Sequence, residues 1–484
     1  MDLKGKRALV MGLGLHGGGV GMVRFLLRQG AHVTVTDLRT AEELAPALRE
    51  LAGEPVEYVL GEHRLEDFRW ADLVVRNPAV PRDSPYLEEA RRRGIPVEME
   101  MTLFFDRCPG PILGITGTKG KSTTTALLGE MLRRRFPDTV VAGNIRVSAL
   151  EALPRIGPQT PVVLELSSWQ LEGLGEKGRS PHIAVVTNLS PDHMNRYRSW
   201  EDYVEAKRAI YRAQRPDDLL VLNANDPTVR DFARDAPSRV AWFGLGLRRR
   251  GGAFLTMDGK RLPPGAGAAL IARRQVCWAH PDGALRPICP LASIRLVGRH
   301  NRENVLAATA AACLYGLSPQ EVAEALAAFP GLPDRLEVVR VLDGVTYIND
   351  TTSTAPASTI AALEALEGPL ILIAGGADKG LDYTEMAAAV AARARAVLLL
   401  EGTATARLEE ALRKAGAGPL IAGRFDDLRA AVRRAHALAH PGDRVLLSPG
   451  CASFGLFRHE FERGERFREA VHELEHATRN TQET

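Results

Sequence analysis

The sequence predicts an α/β protein of three domains built on parallel sheets, and three observations support that prediction. Strand-like apolar runs alternate with amphipathic helical segments along nearly the whole chain, which is typical of parallel sheets covered by helices. Glycine-rich segments directly follow the strand-like runs that end near residues 12 and 115. The 484 residues are too many for a single hydrophobic core, so several domains are expected.

Domain boundaries are predicted where proline and glycine interrupt this alternation. The breaks lie at residues 108–111 and 329–333. They divide the chain into predicted domains 1–108, 109–331 and 332–484. Within the middle domain, residues from Arg248 to Pro290 are richer in glycine, proline and short apolar segments, which favours a small β-rich section.

Composition and charge restrict the class of protein. The formal net charge is +3 with 25% charged residues, a balance that gives no reason to expect a nucleic acid partner. The five cysteines show neither C-x-x-C pairs nor the spacing of a zinc site, as in proteins of a reducing cytosol. No apolar stretch approaches the roughly 18 residues that cross a bilayer. We therefore expect a soluble cytoplasmic protein without a membrane partner.

The first predicted domain opens with a strand, a helix and a second strand that ends at Asp37. Residues 12–17 match G-x-G-x-x-G, and Asp37 follows Gly17 by 20 residues, which alone favours an NAD-dependent dehydrogenase. Such a loop binds phosphates and not the base, so the diphosphate of a nucleotide-sugar would fit equally well. No hydride-transfer site is evident further along the chain, which disfavours dinucleotide binding. His16 is expected to lie near the ligand without being a catalyst.

The middle domain begins with a nucleotide phosphate loop at residues 114–122, between an apolar run and a helix-like stretch. Glycines allow successive backbone amides to face phosphate oxygens, while Lys121 would reach the β and γ phosphates and Ser122 would bind Mg²⁺. The spacing departs from G-x-x-x-x-G-K-[ST], since Ile115 stands where the first glycine belongs. A plain glycine-rich turn is the alternative, but a turn does not require the lysine and serine. We therefore expect ATP binding.

Polar residues at two further strand ends indicate metal ions. Glu165 and His193 each follow an apolar, strand-like run, and such positions face the ligand crevice of an α/β domain. We expect Glu165 to share Mg²⁺ with Ser122 and His193 to hold a second ion. Lys207 comes 14 residues after His193 in a helical segment, where the spacing alone favours an ordinary surface lysine.

Five separated motifs together resemble the ATP-dependent Mur ligases of peptidoglycan synthesis, and the last is similar to the signature of the members that add glutamate. In chain order they are residues 117–123, Glu165 with Ser167 and Ser168, Asp192 to Met194, Lys207, and residues 448–454 followed by 461–464 and Phe467. The resemblance covers essentially the whole chain. It implies a Rossmann-like N-terminal domain, a P-loop ATPase central domain with a parallel sheet, and a Rossmann-like C-terminal domain.

The resemblance implies that an amide bond is formed in two steps. ATP would convert the L-alanine carboxylate of UDP-N-acetylmuramoyl-L-alanine into an acyl phosphate, which the amine of glutamate would attack. Two Mg²⁺ ions would neutralise charge as the phosphoryl group moves. Lys207 would carry a carbamate derived from CO₂, which turns a cation into an oxygen ligand for the second ion beside His193. The partners would be these small molecules, and a monomer is expected.

The resemblance also assigns residues to each part of the site. The catalytic residues would be Lys121, Asn144, His193 and Lys207, and the metal ligands Ser122, Glu165, His193 and Lys207. ATP would contact Gly117, Thr118, Lys119, Gly120, Lys121, Ser122, Thr123, Asn304 at the adenine, Arg335 at the phosphates and Asp350 at the ribose. The nucleotide-sugar would contact Gly14, Leu15, His16, Gly17, Asp37, Arg39, Asn77, Asn144, Ser167 and Gln170. The incoming glutamate would contact Thr354, Lys379, Ser453 and Phe461.

The chain departs from the family pattern at several of these positions. Leu38 replaces a threonine, and residues 77–79 replace Ser-Pro-Gly, so the uridine contacts are less well defined. Lys119 stands where asparagine is common, and Thr352 stands where the family has a lysine near the acceptor carboxylate. We hypothesise that the charge gained at Lys119 compensates for the charge missing at Thr352.

Several alternatives follow from these departures. The same ligase using L-glutamate is one, although D-glutamate is favoured as in most of the family. A folylpolyglutamate-type ligase is another, but such enzymes lack a glycine-rich N-terminal domain of this kind. A nucleotide-binding protein without catalysis is disfavoured, because binding alone does not require Lys121, Glu165, His193 and Lys207 together.

Overall fold

A computed structural model gives the fold of the chain. It describes residues 2–14, 18–144, 148–192, 194, 196–250, 253–263 and 265–482, with the backbone alone for 475–482. The chain divides into two compact units. The first comprises Met1–Ile294 with Glu303–Ala328, and the second comprises Arg295–Arg302 with Phe329–Thr484.

The first sheet of the first unit consists of parallel strands in the order β3-β2-β1-β4-β5. Alternate residues of β1 pack on opposite faces: Val10 joins one apolar core and Leu9 another, as expected for a strand buried on both sides. The strands are β1 (Arg7–Met11), β2 (His32–Asp37), β3 (Val56–Leu60), β4 (Leu73–Arg76) and β5 (Val97–Glu98). The helices are α1 (Gly18–Arg28), α2 (Ala45–Glu50), α3 (Leu65–Trp70), α4 (Pro85–Arg92) and α5 (Glu100–Phe105).

The second sheet of this unit is parallel from β7 to β15 and antiparallel at its far edge, in the order β17-β16-β15-β11-β10-β9-β6-β8-β7. Its strands are β6 (Ile112–Thr116), β7 (Val140–Gly143), β8 (Val162–Glu165), β9 (Ile183–Val186), β10 (Leu219–Asn223), β11 (Arg239–Phe243), β15 (Ala268–Ala272), β16 (Gln275–Ala279) and β17 (Leu285–Pro290). The accompanying helices are α6 (Lys121–Arg133), α7 (Ala149–Ala152), α8 (Ser168–Glu176), α9 (Trp200–Arg212), α10 (Pro227–Asp231), α11 (Arg299–Tyr315) and α12 (Pro319–Ala328).

The section predicted to be β-rich does consist of strands, but they belong to two sheets. The short strands β12 (Arg248–Arg250), β13 (Ala253–Leu255) and β14 (Arg261–Leu262) form an antiparallel sheet of their own. Strands β15 to β17 instead extend the large sheet, because β15 pairs in parallel with β11. A composition shift indicated strands here but could not show which sheet they join.

The second unit contains a sheet in the order β18-β19-β23-β20-β21-β22, parallel except where β18 meets β19. The apolar strand β20 and the mainly apolar strand β21 lie within it, with helices packed on both faces. Its strands are β18 (Glu337–Leu342), β19 (Val345–Asn349), β20 (Leu370–Gly375), β21 (Ala394–Leu400), β22 (Ile421–Phe425) and β23 (Arg444–Leu447). Its helices are α13 (Pro356–Ala365), α14 (Thr384–Arg393), α15 (Thr405–Lys414), α16 (Leu428–Leu438) and α17 (Glu460–Gln482).

The α/β fold class with parallel sheets is therefore confirmed. The five cysteines, all in the described part of the chain, are free thiols. Among the helices that the structure describes, none combines the length and the apolar character needed to cross a membrane.

Candidate active site

The phosphate loop lies between β6 and α6, as the sequence predicts. Its glycines Gly117 and Gly120 have φ angles of +142° and +84°. A Cβ atom on Gly117 would overlap the hydroxyl of Thr187, and a Cβ atom on Gly120 would overlap the side-chain amide of Asn304. Glycine is therefore required at both positions by backbone conformation and by close packing.

The backbone amides of the loop divide into two sets. Thr118 donates its amide to the Asn188 carbonyl at 2.8 Å, and Lys119 donates its amide to Asn188 Oδ1 at 2.9 Å. These two amides hold the loop in place, and the predicted contacts of Thr118 and Lys119 with ATP stay predictions. Helix α6 begins at Lys121, and the amides of its first turn, Ser122 included, have no acceptor within the helix. The positive end of α6 therefore favours an anion at this point.

The two lysines of the loop lie in different environments. Lys121 Nζ donates to Gly117 O at 3.1 Å and to Thr118 O at 2.9 Å, which folds the side chain onto the loop. Lys119 Nζ lies 3.7 Å from Asp192 Oδ2, and 72% of its side chain is exposed. Lys119 thus adds a solvent-facing cation beside the phosphate loop, and its compensation for Thr352 stays a hypothesis.

Lys207 on α9 is buried, with 2% of the residue exposed, so the interpretation as a surface lysine is wrong. Its Nζ donates to Thr116 Oγ1 at 3.0 Å and to Gly117 O at 3.1 Å. Burial and the nearby Lys121 ammonium lower the pKa of Lys207 well below its usual range. The carbonyl of Gly117 therefore accepts from two lysines, one from α6 and one from α9.

Glu165 ends β8 and is 2% exposed. Its Oε1 accepts from Asn144 Nδ2 at 2.8 Å, whereas its Oε2 is buried without a hydrogen-bond donor. A buried carboxylate oxygen without a donor fits a cation, so the predicted role of Glu165 as a magnesium ligand agrees with its surroundings. His193 lies outside the described residues. Within the part of the chain that is described, no group of three histidine, cysteine, aspartate or glutamate side chains assembles a metal site.

A cavity of about 360 Å³ opens at the carboxyl ends of β1 and β4. It brings together many of the residues predicted for the nucleotide-sugar, namely Gly14, Arg39, Asn77, Asn144 and Gln170. The predicted contacts at residues 15–17 lie outside the described residues. We call this space the first-domain cavity.

Asp37 and Ser167 are also predicted to contact the nucleotide-sugar, and in the structure both side chains form hydrogen bonds within the protein. Asp37 Oδ2 accepts from the amides of Leu13 at 2.9 Å and Gly14 at 3.5 Å, and its Oδ1 accepts from the amide of Arg39 at 3.0 Å. Ser167 forms a capping box with Gln170 at the start of α8. Both side chains therefore shape the backbone around the cavity.

Glu100 is a cavity residue that the sequence analysis missed. Its Oε1 accepts from Ser148 Oγ at 2.6 Å and from the amide of Ala149 at 3.1 Å, at the start of α7. Burial raises the pKa of Glu100 to about 7. An acidic residue just before the mainly apolar segment 101–105 was the available sequence signal.

In the second unit, Asp350 is buried and accepts from Ser353 Oγ at 2.5 Å, from Ser448 Oγ at 2.8 Å and from the amide of Leu336 at 3.2 Å. Burial raises the pKa of Asp350 to about 6 despite these donors. The Asp350 carboxylate thus forms its hydrogen bonds within the second unit. Its contact with the ribose of ATP stays a prediction.

Of the residues predicted for glutamate, Thr354 and Lys379 meet, with Lys379 Nζ donating to Thr354 Oγ1 at 3.1 Å. Ser453 is buried, and Phe461 lies half-buried at the start of α17. The part played by Arg463 was not predicted. This residue is fully buried and donates to Thr351 Oγ1 at 3.0 Å and to Thr351 O at 2.9 Å. This arginine holds the segment that follows Asp350.

Thr352, where the family has a lysine, has a local structural contact. Its Oγ1 donates to Asp334 O at 2.9 Å. Asp334 and Leu336 have backbone φ angles of +66° and +46°, values that residues other than glycine rarely adopt. Arg335, which lies between them, is exposed. Thr352 therefore helps to hold a strained turn that presents Arg335. On the other unit, Asn304 lies against Gly120 of the phosphate loop.

Three sequence models cover most of the chain. The model of the Mur ligase MurD-like N-terminal domain matches residues 6–98, that of the Mur ligase middle domain matches 115–312, and that of the Mur ligase glutamate ligase domain matches 334–451. These matches follow the order of the three predicted domains, whose own boundaries stay predictions.

Named relatives match over nearly the full length. A protein of Roseiflexus sp. named UDP-N-acetylmuramoylalanine–D-glutamate ligase is 53% identical, over 97% of this chain and 99% of the relative. A protein of the same name from Symbiobacterium thermophilum is 44% identical, over 97% and 98%. Among solved structures, the UDP-N-acetylmuramate-alanine ligase MurC of Thermotoga maritima has a TM-score of 0.59 at 21% identity, over 97% of this chain and 99% of that one. The MurF ligase of Thermotoga maritima, solved with ADP, has a TM-score of 0.53 at 16% identity, over 97% and 96%.

Proposed function

Because the chain belongs to the Mur ligase family, we propose that it joins D-glutamate to UDP-N-acetylmuramoyl-L-alanine at the expense of ATP, in the cytoplasmic synthesis of peptidoglycan precursors. The observation that carries this proposal is the 53% identity to a relative of that name over 97% of the chain. The products are the amide, ADP and phosphate. We propose that the protein is a monomer, which its mass in solution, measured by light scattering, would test.

The three domains divide the substrates among them. Residues 1–108, together with Asn144 and Gln170 of the middle domain, hold the nucleotide-sugar in the first-domain cavity. Residues 109–331 hold ATP at the phosphate loop, and 332–484 hold glutamate. The start of α6 supplies amides and a helix dipole to the phosphates, and Lys121 supplies a mobile cation that leaves the loop carbonyls for a phosphate oxygen. Thr354 and Lys379, already in contact, are suited to a carboxylate of glutamate.

Two Mg²⁺ ions fit the chemistry of the predicted ligands. Ser122 and Glu165 would hold one ion, and His193 with Lys207 would hold the other; when bound, the ions neutralise charge that develops on the transferring phosphoryl group. The buried Oε2 of Glu165 is the observation that supports a cation there. Asn144 fixes the orientation of that carboxylate by donating to its other oxygen at 2.8 Å.

Lys207 becomes a metal ligand only if its charge changes sign, and we propose carbamylation. The amine nitrogen forms a bond to the carbon of CO₂, a proton leaves to solvent, and an anionic carbamate results. Burial and the two acceptors of Lys207 Nζ, Thr116 Oγ1 and Gly117 O, keep the side chain in one place beside the phosphate loop, which supports this proposal. Hard cations prefer oxygen ligands, so the carbamate suits Mg²⁺ whereas an ammonium repels it.

The reaction requires activation, because a carboxylate is a poor electrophile. An oxygen of the L-alanine carboxylate attacks the γ-phosphorus of ATP and ADP leaves, which gives an acyl phosphate. The glutamate amine then attacks the acyl carbon, loses a proton, and displaces phosphate. Positioning and electrostatic stabilisation supply most of the rate enhancement in such phosphoryl transfers.

The stereochemistry of glutamate is the finer part of the proposal. Relatives named for D-glutamate favour that isomer, while Thr352 in place of the family lysine leaves L-glutamate as the alternative. A folylpolyglutamate-type ligase is disfavoured by the match of residues 6–98 to a MurD-like N-terminal domain. A binding protein without catalysis is disfavoured by the retained Lys121, Glu165 and Lys207.

The test combines the protein with ATP, Mg²⁺ and UDP-N-acetylmuramoyl-L-alanine, and follows phosphate release and product mass with D-glutamate and L-glutamate separately. We expect a product heavier by one glutamate residue with the D isomer. Lys207→Met should lower turnover by about a thousandfold. The matched variant Lys177→Met should retain wild-type turnover. Lys177 follows the end of α8, and its Nζ lies 2.6 Å from Glu98 Oε1. Absence of product with both isomers contradicts the proposed function.

A further inference from the structure

The loop that follows β4, residues 77–80, forms one wall of the first-domain cavity through Asn77, Pro78 and Ala79. Two arginines hold its carbonyls. Arg76 Nη1 donates to Val80 O at 3.0 Å, and Arg196 Nη1 donates to Ala79 O at 2.9 Å. Arg76 ends β4 in the first sheet, whereas Arg196 comes from the segment between β9 and α9 of the second sheet. The 77–80 loop is therefore held from both predicted domains of the first unit.

Arg196 fixes a second part of the cavity wall at the same time. Its guanidinium lies 4.5 Å from the ring centroid of Trp169, which also lines the cavity. Its Nη2 lies 3.4 Å from Glu172 Oε2, and only 16% of its side chain is exposed. One planar, largely buried cation thus joins the 77–80 loop to the start of α8.

The residues around Arg196 continue to the phosphate loop. Tyr197, the next residue, donates its hydroxyl to Glu172 Oε1 at 2.8 Å. The rings of Tyr197 and Tyr203 meet edge to face with centroids 5.3 Å apart. The hydroxyl of Tyr203 lies 2.9 Å from Thr118 Oγ1 in the phosphate loop. The wall of the cavity and the phosphate loop are therefore joined by contiguous packed and hydrogen-bonded side chains.

We infer that Arg196 is a positioning residue that sets the affinity for the nucleotide-sugar by holding the 77–80 loop against Trp169. This inference rests on the proposed function. Because Arg196 acts through the 77–80 loop and Trp169, its removal should weaken the binding of the nucleotide-sugar alone. Loss of a hydrogen bond from a charged donor corresponds to about a tenfold or larger change in affinity.

The test uses Arg196→Gln and Arg196→Lys in the full-length protein, with Arg198→Gln as the matched control. Arg198 also spans the two domains, since its Nη2 lies 3.7 Å from Asp83 Oδ2, but 87% of its side chain and 71% of that of Asp83 are exposed. Such an exposed pair contributes little. The KM values for UDP-N-acetylmuramoyl-L-alanine, ATP and D-glutamate are measured together with kcat. The dissociation constant of UDP-N-acetylmuramoyl-L-alanine is measured by calorimetry.

We expect Arg196→Gln to raise the KM and the dissociation constant for the nucleotide-sugar about tenfold, with the KM values for ATP and D-glutamate within twofold. Arg196→Lys, which keeps a donor and a charge but not the planar stack, should recover part of the loss. Arg198→Gln should match the wild type. A kcat loss with unaltered nucleotide-sugar affinity, an equal loss for all three substrates, or no change in Arg196→Gln overturns the inference.

Two further controls separate the possible failures. Thermal melting shows whether Arg196→Gln folds, and if it does not, the KM pattern of Arg196→Lys decides. A wild type that forms no product with either glutamate isomer contradicts the proposed function itself. An active wild type with an unaltered Arg196→Gln contradicts only the role of Arg196.

Discussion

The first unit contains two glycine-rich loops that follow buried parallel strands: the first loop at residues 12–17 and the phosphate loop at residues 114–122. Different side chains hold each of them. In the first loop, the Asp37 carboxylate accepts from the amides of Leu13 and Gly14. In the phosphate loop, the neutral Asn188 accepts from two amides, and two lysines donate to Gly117 O. Glycine spacing thus determines the backbone turn alone. The charge of the surrounding side chains distinguishes a loop rich in cations, suited to a triphosphate, from one built around a carboxylate.

The largest contrast between the loops should come from alanine in place of glycine. At Gly117 an added Cβ overlaps Thr187 Oγ1 at a φ of +142°, whereas at Gly14 it lies 3.2 Å from the flexible Asn77 Nδ2 at a φ of +70°. Gly117→Ala should therefore lower kcat/KM for ATP about a hundredfold or more. Gly14→Ala should raise only the KM for the nucleotide-sugar, by about tenfold. Steady-state kinetics checks both, and equal effects on the two substrates would refute the contrast.

Substitution of Asp37 and Asn188, the side chains that hold the two loops, should also affect one substrate each, with smaller changes in KM. Asp37→Asn weakens the hydrogen bonds that hold the first loop, so the KM for the nucleotide-sugar should rise about tenfold while that for ATP stays within twofold. Asn188→Ala removes the acceptor of the Lys119 amide, and the KM for ATP should rise instead by about fivefold. Kinetics with each substrate varied in turn provides the measurement. Crossed effects would show that the loops do not bind separate substrates.

The pH dependence of the free energy of unfolding should report the titration of Glu100, which lines the first-domain cavity. Its folded pKa is about 7 against an ordinary 4.5, so its contribution to the free energy of unfolding is present below pH 4.5 and is lost as the pH rises through 7. Glu100→Gln cannot ionise, and between pH 4.5 and 8 its stability relative to the wild type should rise by about 1–3 kcal/mol. Urea denaturation across this range is the measurement.

The control for Glu100 is Glu176, a carboxylate that pairs with Arg91 at 3.9 Å with 39% of its side chain exposed. Glu176→Gln should leave the pH dependence of unfolding nearly unaltered. Parallel stability curves for the wild type and Glu100→Gln would show that the Glu100 carboxyl titrates as it does in the unfolded chain.

The smallest effect is expected at Lys119, which faces solvent beside the phosphate loop. Its pair with Asp192 is exposed and contributes little to stability. If Lys119 compensates for the charge missing at Thr352, Lys119→Asn should lower turnover by about two- to fivefold through the lost cation near the phosphates. Unaltered turnover, measured by phosphate release, would remove the compensation hypothesis.

The fold was largely accessible from the sequence, because the alternation of apolar strands and amphipathic helices is a strong local signal. The positions of β1, β6 and α6 follow from it directly. Which sheet the strands of residues 268–290 join could not be predicted, because strand pairing between β11 and β15 depends on contacts distant along the chain.

The candidate site was accessible only in part. The sequence identified Lys207, but from spacing alone it favoured an exposed side chain; its burial depends on how α9 packs on β6. Asp37 accepts from the amides of Leu13 and Gly14, a contact that depends on how β1 and β2 lie side by side. Its contact with the nucleotide-sugar stays a prediction. Arg196 and Glu100 gave little signal, since their partners come from other segments of the chain.

The buried Oε2 of Glu165 also bears on how the protein withstands heat. A carboxylate oxygen shielded from water and without a donor destabilises the folded chain, and a cation that reaches it there binds the folded form but finds no such site in the unfolded one. By linkage, stability then increases with the logarithm of the cation concentration above its dissociation constant. The melting temperature of this protein should therefore depend on the magnesium in the buffer even before any nucleotide is added.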